Sequence, residues 1–462
     1  MSASPDLKSP PAEDSKTSIL TARYRATTLG ILLVVTLIAF EAMAVGTVMP
    51  EVSVDLKALD LYAWSFSTFL MAGLFMNVVA GQWSDRHGPR VPFLLGVIVF
   101  GAGMVLGGLA PGKELFIAAR AIQGFGGGAV IVTIYVMIAR AYPDALRPRV
   151  FAALSAAWVL PSIIGPTIAG VVADLASWRA VFLAIVPLVV PGVIMLIPVL
   201  RSAGAEDRTA PAGRWAWGRT FAATAVMVGA GLLLFGVERL HTGPALAVPA
   251  ALAGLVLLGA GLPRLLPAGA LRFARGLPTT IVMRAVLAAA FFGVNAFIPL
   301  MLHDVRGFTV AQAGIALTTG ALGWSLGSYL QSRRSYDRVT LVRAATVLVA
   351  AGVLLSILAV VPAITGWVSV PAWIVAGLGM GLGVASVNVL MMQQSAPEEQ
   401  GRNSAALQVA DTLGSALAVG FGGAITNGIG HGNLPLGIAV TFALMAAIAL
   451  AGTGLSARMR TR

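Results

Sequence analysis

The sequence predicts an all-α polytopic membrane protein. Three observations carry that prediction. First, 58% of the 462 residues are apolar and only 11% are charged, whereas soluble domains carry about 25% charged residues. Second, charge-poor apolar runs of the length needed to cross a bilayer, about 20 residues, recur along the whole chain. Third, glycine is abundant, with 53 copies, as expected where helices approach closely in lipid.

The absence of cysteine excludes disulfides, Cys-ligated zinc and thiol catalysis. The net charge of +12 is scattered between apolar runs, which fits a cytoplasmic membrane face better than a nucleic-acid surface. Residues 1–26 are polar, with proline and both signs of charge, and read as a disordered cytoplasmic tail. No small-residue cleavage site stands out before Thr27, so the first span is expected to be retained.

Spans are expected at 27–49, 62–83, 91–110, 115–140, 149–174 and 179–200. These form an amino-terminal six-helix bundle over 27–200. A cytoplasmic linker follows at 201–219. Two extra spans, 220–238 and 243–263, occupy 220–263, and a basic cytoplasmic loop covers 264–278. A carboxy-terminal bundle over 279–456 holds spans at 279–302, 311–331, 341–361, 370–393, 402–427 and 435–456, before a short tail at 457–462. Charge supports this count of fourteen. With the amino terminus inside, 24 of the 31 Lys and Arg residues fall in cytoplasmic segments, five fall outside, and Arg120 and Arg284 fall within spans. That bias places both termini in the cytoplasm.

Two acidic residues lie deep in spans, Glu41 and Asp411, each about 13 Å from the nearer span end at 1.5 Å per residue. A carboxylate there costs about 2.5–3.5 kcal/mol unless it gains a positive partner or a proton. Glu41 and Asp411 are therefore read as proton-coupling sites, against the alternative of a fixed Glu–Arg pair that locks helices. Ser404, Gln408, Asp411 and Ser415 step by four, three and four along one helix face. That stripe is expected to face water rather than lipid, or else to form a polar seam between helices. Arg120, permanently charged and fork-shaped, is the expected partner of a coupling carboxylate, with Gln123 one turn on. Gln123, Tyr135, Trp158, Asn295, Trp324, Asn388 and Gln408 are candidates for lining a substrate cavity, although aromatics in spans more often pack on neighbours.

The loop "GQWSDRHGPR" resembles the cytoplasmic signature of the major facilitator superfamily through Gly81, Asp85, Arg86, Gly88 and Arg90. "RAIQGFGGGA" resembles a second signature through Arg120, Gln123, Gly124 and Gly126. "PSIIGPTIAG" is similar to the antiporter signature at Gly165, Pro166 and Gly170; Pro161 and Ala169 stand where glycines are expected. "TLIAFEAMAVGTVMP" is similar to the first-span motif of the drug-exporter branch, with Glu41 in place of the usual Asp. The two central spans resemble the fourteen-span drug:proton antiporter branch. In the second half, "GSYLQSRRSYDR" keeps Gly327 but has Gln331 in the acidic position, an echo that still supports two related halves.

The resemblance implies a monomeric inner-membrane antiporter that exports apolar or cationic molecules by alternating access, with protons as coupling ion and no other cofactor. Its partners would be a small-molecule substrate and the bilayer, not nucleic acid. A lipid or glycolipid exporter of the same fold, or a non-transporting sensor, is the alternative. An enzyme is not expected. "GWSLG" mimics a hydrolase elbow, but Ser325 lacks a nearby histidine base; "GLGMGLG" and "GFGGGA" lie within spans, and no P-loop or metal motif occurs.

Overall fold

The computed structural model describes residues 18–143, 145–206, 215–240, 242–333, 336–430 and 433–461. Residues 1–17 of the expected tail and 207–214 of the expected linker lie outside these. Among the described residues the chain is helical, without strands.

The first bundle holds α1 (Arg25–Asp55), α2 (Tyr62–His87), α3 (Arg90–Gly108), α4 (Lys113–Ala141), α5 (Arg147–Leu175) and α6 (Trp178–Glu206). A hairpin of α7 (Trp217–Arg239) and α8 (Pro244–Leu265) follows. The second bundle holds α9 (Leu277–Val305), which changes to a π turn over its last residues. It continues with α10 (Val310–Arg333), α11 (Arg338–Ile357), α12 (Ser369–Gln393), α13 (Gln400–Gly430) and α14 (Leu434–Leu455). The helices match the fourteen expected spans in order, and several run past them, as α1 and α13 do at both ends. Prolines at 50, 161 and 166 sit inside continuous helices, which is tolerable where neighbouring helices supply compensating contacts.

Thirteen of these helices are long and apolar enough to cross a membrane; α10 is the less apolar exception among the described residues. Its small and polar residues have a packing reason. Gly314 lies against the Pro166 carbonyl, and Gly320, Gly323 and Gly327 lie against α12. A Cβ on Gly377 would stand 2.0 Å from the Gly320 carbonyl oxygen. In the first bundle, α4 touches α2 at Gly124 and α3 at Gly126, again backbone against backbone. The glycine-rich strings are therefore helix contacts, as small residues are in lipid.

The two bundles meet along two seams. In one, Gly170 of α5 faces Ala311 of α10, and Thr318 donates to the Ile163 carbonyl at 3.0 Å. Continuing that antiparallel register brings Val159, Ser155 and Phe151 opposite Leu322, Leu326 and Leu330, and all six are exposed. In the other, Ala63 of α2 faces Gly423 of α13, and Ser67 donates to the Ala416 carbonyl at 2.9 Å. Further along, Asp85, Arg402 and Ala405 are exposed. Tyr62 closes the first end, donating to the Ala296 carbonyl at 2.8 Å. The halves are thus joined at the Tyr62 end, and their facing surfaces are open toward the Asp85 end.

Gly377→Ala is expected to lower stability by about 1–3 kcal/mol, the range for overpacking a tight contact. Gly101→Ala, where a Cβ meets nothing within 4 Å, should leave it unchanged. Thermal unfolding in detergent compares the two.

Candidate functional site

The sequence places Glu41 in the middle of α1 and Arg120 two turns into α4. The structure joins them. Glu41 is 0% and Arg120 2% exposed, and they form an ion pair. Arg120 Nη1 donates to both Glu41 Oε1 and Gln123 Oε1. Its Nε donates to the Ser65 carbonyl at 3.0 Å, and its Cζ lies 4.5 Å from the centre of the Phe69 ring. Gln123, three residues on and hence on the same face, passes its Nε2 to the Gly103 carbonyl at 2.9 Å. The planar fork of arginine makes such multiple engagement possible. One polar atom is left over: Glu41 Oε2 is buried and has no hydrogen-bond partner. Its charge is matched by Arg120.

A second pair lies in the other half. Arg284 Nε of α9 donates to Asp411 Oδ1 of α13 at 2.6 Å, with side chains 14% and 16% exposed. Gly414, packed on the Ala285 carbonyl, lets the two helices approach at this level. Arg284 Nη1 is buried and unpartnered. Along the α13 stripe, Ser404 and Gln408 are exposed and Ser415 is buried. Ser415 donates to the Asp411 carbonyl at 2.9 Å, and Gln408 donates to Thr412 at 3.2 Å. In the sequence Arg284 stands only as a charge within a span. The rule that intramembrane ions seek partners is the signal that joins it to Asp411.

The remaining candidates are dispersed. Gln123 is fully buried and holds Arg120, so it is not a cavity wall. Tyr135 is exposed and stacks on Phe151. Trp158 is partly buried against the core. Asn295 accepts from Trp373 Nε1 at 3.2 Å, and Trp324 packs edge-on to Phe291. Asn388 is exposed. In the antiporter-like segment, Pro161 is buried in α5, Gly165 abuts Phe40 of α1, and Pro166 and Gly170 abut α10. These residues thus shape the junction of α1, α5 and α10. Most of the expected switch loop is helical: Gly81, Asp85 and Arg86 lie in the last turns of α2, where Gly81 approaches Val132, and Gly88 ends α2 at φ 80°, a conformation that favours glycine. Asp85 and Arg90 are exposed, Arg86 is partly buried, and Arg402 pairs with Glu399 at 2.5 Å. Ser325, the decoy nucleophile, donates to the Ala321 carbonyl of its own helix.

Glu238 is a partly buried carboxylate that the sequence pattern does not single out, because it closes the seventh expected span. It accepts the Trp64 indole N–H on Oε2 and the Asn427 amide at 3.2 Å on Oε1.

A family model described as Major Facilitator Superfamily matches residues 31–419. The chain is 26% identical over 457 residues, 93% of both chains, to a "probable multidrug-efflux transporter" of Mycobacterium tuberculosis. It is 22% identical to the multidrug efflux pump SdrM of Staphylococcus aureus, covering 88% of this chain and 92% of that one. Among solved structures, a POT family transporter superposes with TM-score 0.68 at 14% identity, over 93% of this chain and 94% of that one. A bacterial homologue of the lysosomal transporter Spinster superposes with TM-score 0.63 at 14% identity, over 96% and 99%. At these identities the structural likeness shows the shared fold.

Removing one member of a buried pair strands the other, at about 3–5 kcal/mol. Arg120→Gln should therefore destabilise the protein more than the double change Glu41→Gln with Arg120→Gln. Melting temperatures of the two variants in one detergent decide this, and a double variant no better than the single would mean that Arg120 acts chiefly through Ser65 and Phe69.

Proposed function

The chain belongs to the major facilitator superfamily, and on that premise we propose that it exports apolar or cationic small molecules across the plasma membrane in exchange for protons. Membership and the multidrug-efflux relatives make it a multi-pass membrane transporter rather than an enzyme. The observation that carries the proton half of the reading is Glu41. It is a carboxylate in a dry interior, with one oxygen held by Arg120 and the other free. A proton on that free oxygen cancels the charge that binds Arg120. The pairing across α1 and α4 then weakens, and the two protonation states favour different arrangements of the helices. A ligand shifts such an equilibrium only by its difference in affinity for the two states.

The Lys and Arg distribution assigns the Asp85 end to the cytoplasm. The present arrangement then reads as inward-facing. The exposed Ser404, Gln408 and Asn388 would meet substrate from that side, beside the partly exposed Asp411–Arg284 pair. In the opposite state Asp85 would approach the amino terminus of α13, where about half a positive charge resides.

Three measurements test this reading. In proteoliposomes, an imposed pH gradient should drive efflux of a cationic dye by the native protein, and Glu41→Gln should abolish the gradient dependence while the protein stays folded. Gradient-driven efflux at the native rate in the variant would remove Glu41 from coupling. Arg284→Ala frees the Asp411 charge and is expected to raise transport of cationic over neutral substrates about tenfold, as an uncompensated charge in a partly solvated site would; an equal change for both classes would place the pair away from the substrate. Asp85→Asn should enrich the present state, read as spectroscopic distances between the Asp85 end of α2 and the start of α13. An unchanged distance distribution with lost transport would deny Asp85 a closing role.

A further inference from the structure

We propose that Glu238, on the α7–α8 hairpin, is a positioning residue that holds the Tyr62 end closed by bonding both six-helix halves at once. The proposal rests on the alternating-access reading, because a clamp matters only if that end opens. The hairpin lies on one of the two seams. Val226, Ala230, Leu233 and Leu234 of α7 form an apolar cluster with Met71 and Leu74 of α2 and with Val409, Leu413 and Ala416 of α13. Apolar contacts of this kind slide readily, since lipid is no worse a neighbour than leucine. The directional contacts distinguish the two ends of α7.

At its start, α7 is tied to α2. Gln82 Nε2 donates to Thr220 Oγ1 at 3.3 Å, and the Ala216 N–H donates to Gln82 Oε1 at 3.0 Å. At its other end, Glu238 accepts from Trp64 of α2 and from Asn427 of α13. Asn427 also donates to the Asp60 carbonyl at 2.7 Å, and the Asp60 carboxylate pairs with Lys113 at the start of α4 at 2.6 Å. The hairpin is thus bonded to the first half at both ends, and Glu238 reaches the second half through Asn427. When α2 and α13 part at the Tyr62 end, the hairpin stays with the first half and the Glu238–Asn427 bond breaks.

The donor pattern makes the clamp specific for a carboxylate. Trp64 Nε1 and Asn427 Nδ2 are both donors, and a carboxylate offers two acceptor oxygens. A glutamine at 238 offers one oxygen and one NH2, so one donor would face another. Asn427→Asp alone would set two carboxylates together. Combined with Glu238→Gln, it restores donor to acceptor, with the new amide donating to the new carboxylate, although the bond to the Asp60 carbonyl is lost.

The chain has no native cysteine, so nitroxide labels at the exposed Leu115 and Trp367, one in each half, can report the separation of that end. Glu238→Gln should raise the population of the longer distance roughly tenfold, the effect of losing a hydrogen bond to a charged group. Adding Asn427→Asp should return part of that population to the short distance. Trp64→Phe, which removes one donor and keeps a ring, should open the end in the same direction and serves if Glu238→Gln fails to fold. Distances unchanged in Glu238→Gln or Trp64→Phe would overturn the proposal, as would a double variant no closer to native than the worse single. These distances need neither substrate nor a proton gradient, so they stand apart from the fate of Glu41 as coupling site.

Discussion

The buried guanidinium of Arg120 ties together the helices of the first half of this protein. Hydrocarbon gives a charge no partner, so every partner must come from the chain. Arg120 draws in Glu41 from α1, the Ser65 carbonyl and the Phe69 ring from α2, and Gln123 from its own helix. Gln123 in turn engages Gly103 of α3. Four helices are therefore fixed around one cation. Gly124 and Gly126 permit that gathering by letting α4 lie directly on the backbones of α2 and α3. The polar network and the small-residue packing depend on each other: without the close approach, the arginine could not reach its partners on α1 and α2, nor Gln123 the carbonyl on α3.

The second half repeats the theme under wetter conditions. Arg284 and Asp411 form a carboxylate–arginine pair, but both keep some exposure. Desolvation and attraction both weaken with access to water, so this pair is easier to part than the first. On the proposed reading, a fully buried pair in one half and a partly exposed pair in the other divide two tasks between them. The buried one suits a protonation event that must count energetically. The solvated one suits exchange with a charged group arriving from the open end.

The hairpin breaks the symmetry between the two seams. Where α5 meets α10, the contact is made by glycines, Pro166 and threonine hydroxyls. Where α2 meets α13, α7 is packed over the junction and Glu238 is bonded across it. Any rocking of the halves therefore moves against different resistance on the two sides: small-residue contact on one, and an apolar layer ending in a carboxylate clamp on the other.

Much of this was legible in the sequence. Fourteen long helices and their order follow from the lengths of the apolar runs, because the bilayer fixes how many residues a crossing needs. The importance of Glu41 and Arg120 was legible too, since a charge within a span is expensive wherever it sits. Partnership was not. Glu41 and Arg120 are 79 residues apart, Arg284 and Asp411 are 127 apart, and Glu238 lies 189 residues from Asn427. Periodicity places a residue on a face of its own helix but says nothing about which helix that face meets. Gln123 shows the consequence: the sequence could place it beside Arg120 but could not tell a cavity wall from a buried strut. The sequence by itself determined the number and order of the long helices and which charges needed an answer. The tertiary structure alone decided which group answered each charge, because only the packing of distant helices brings donor and acceptor within hydrogen-bond reach.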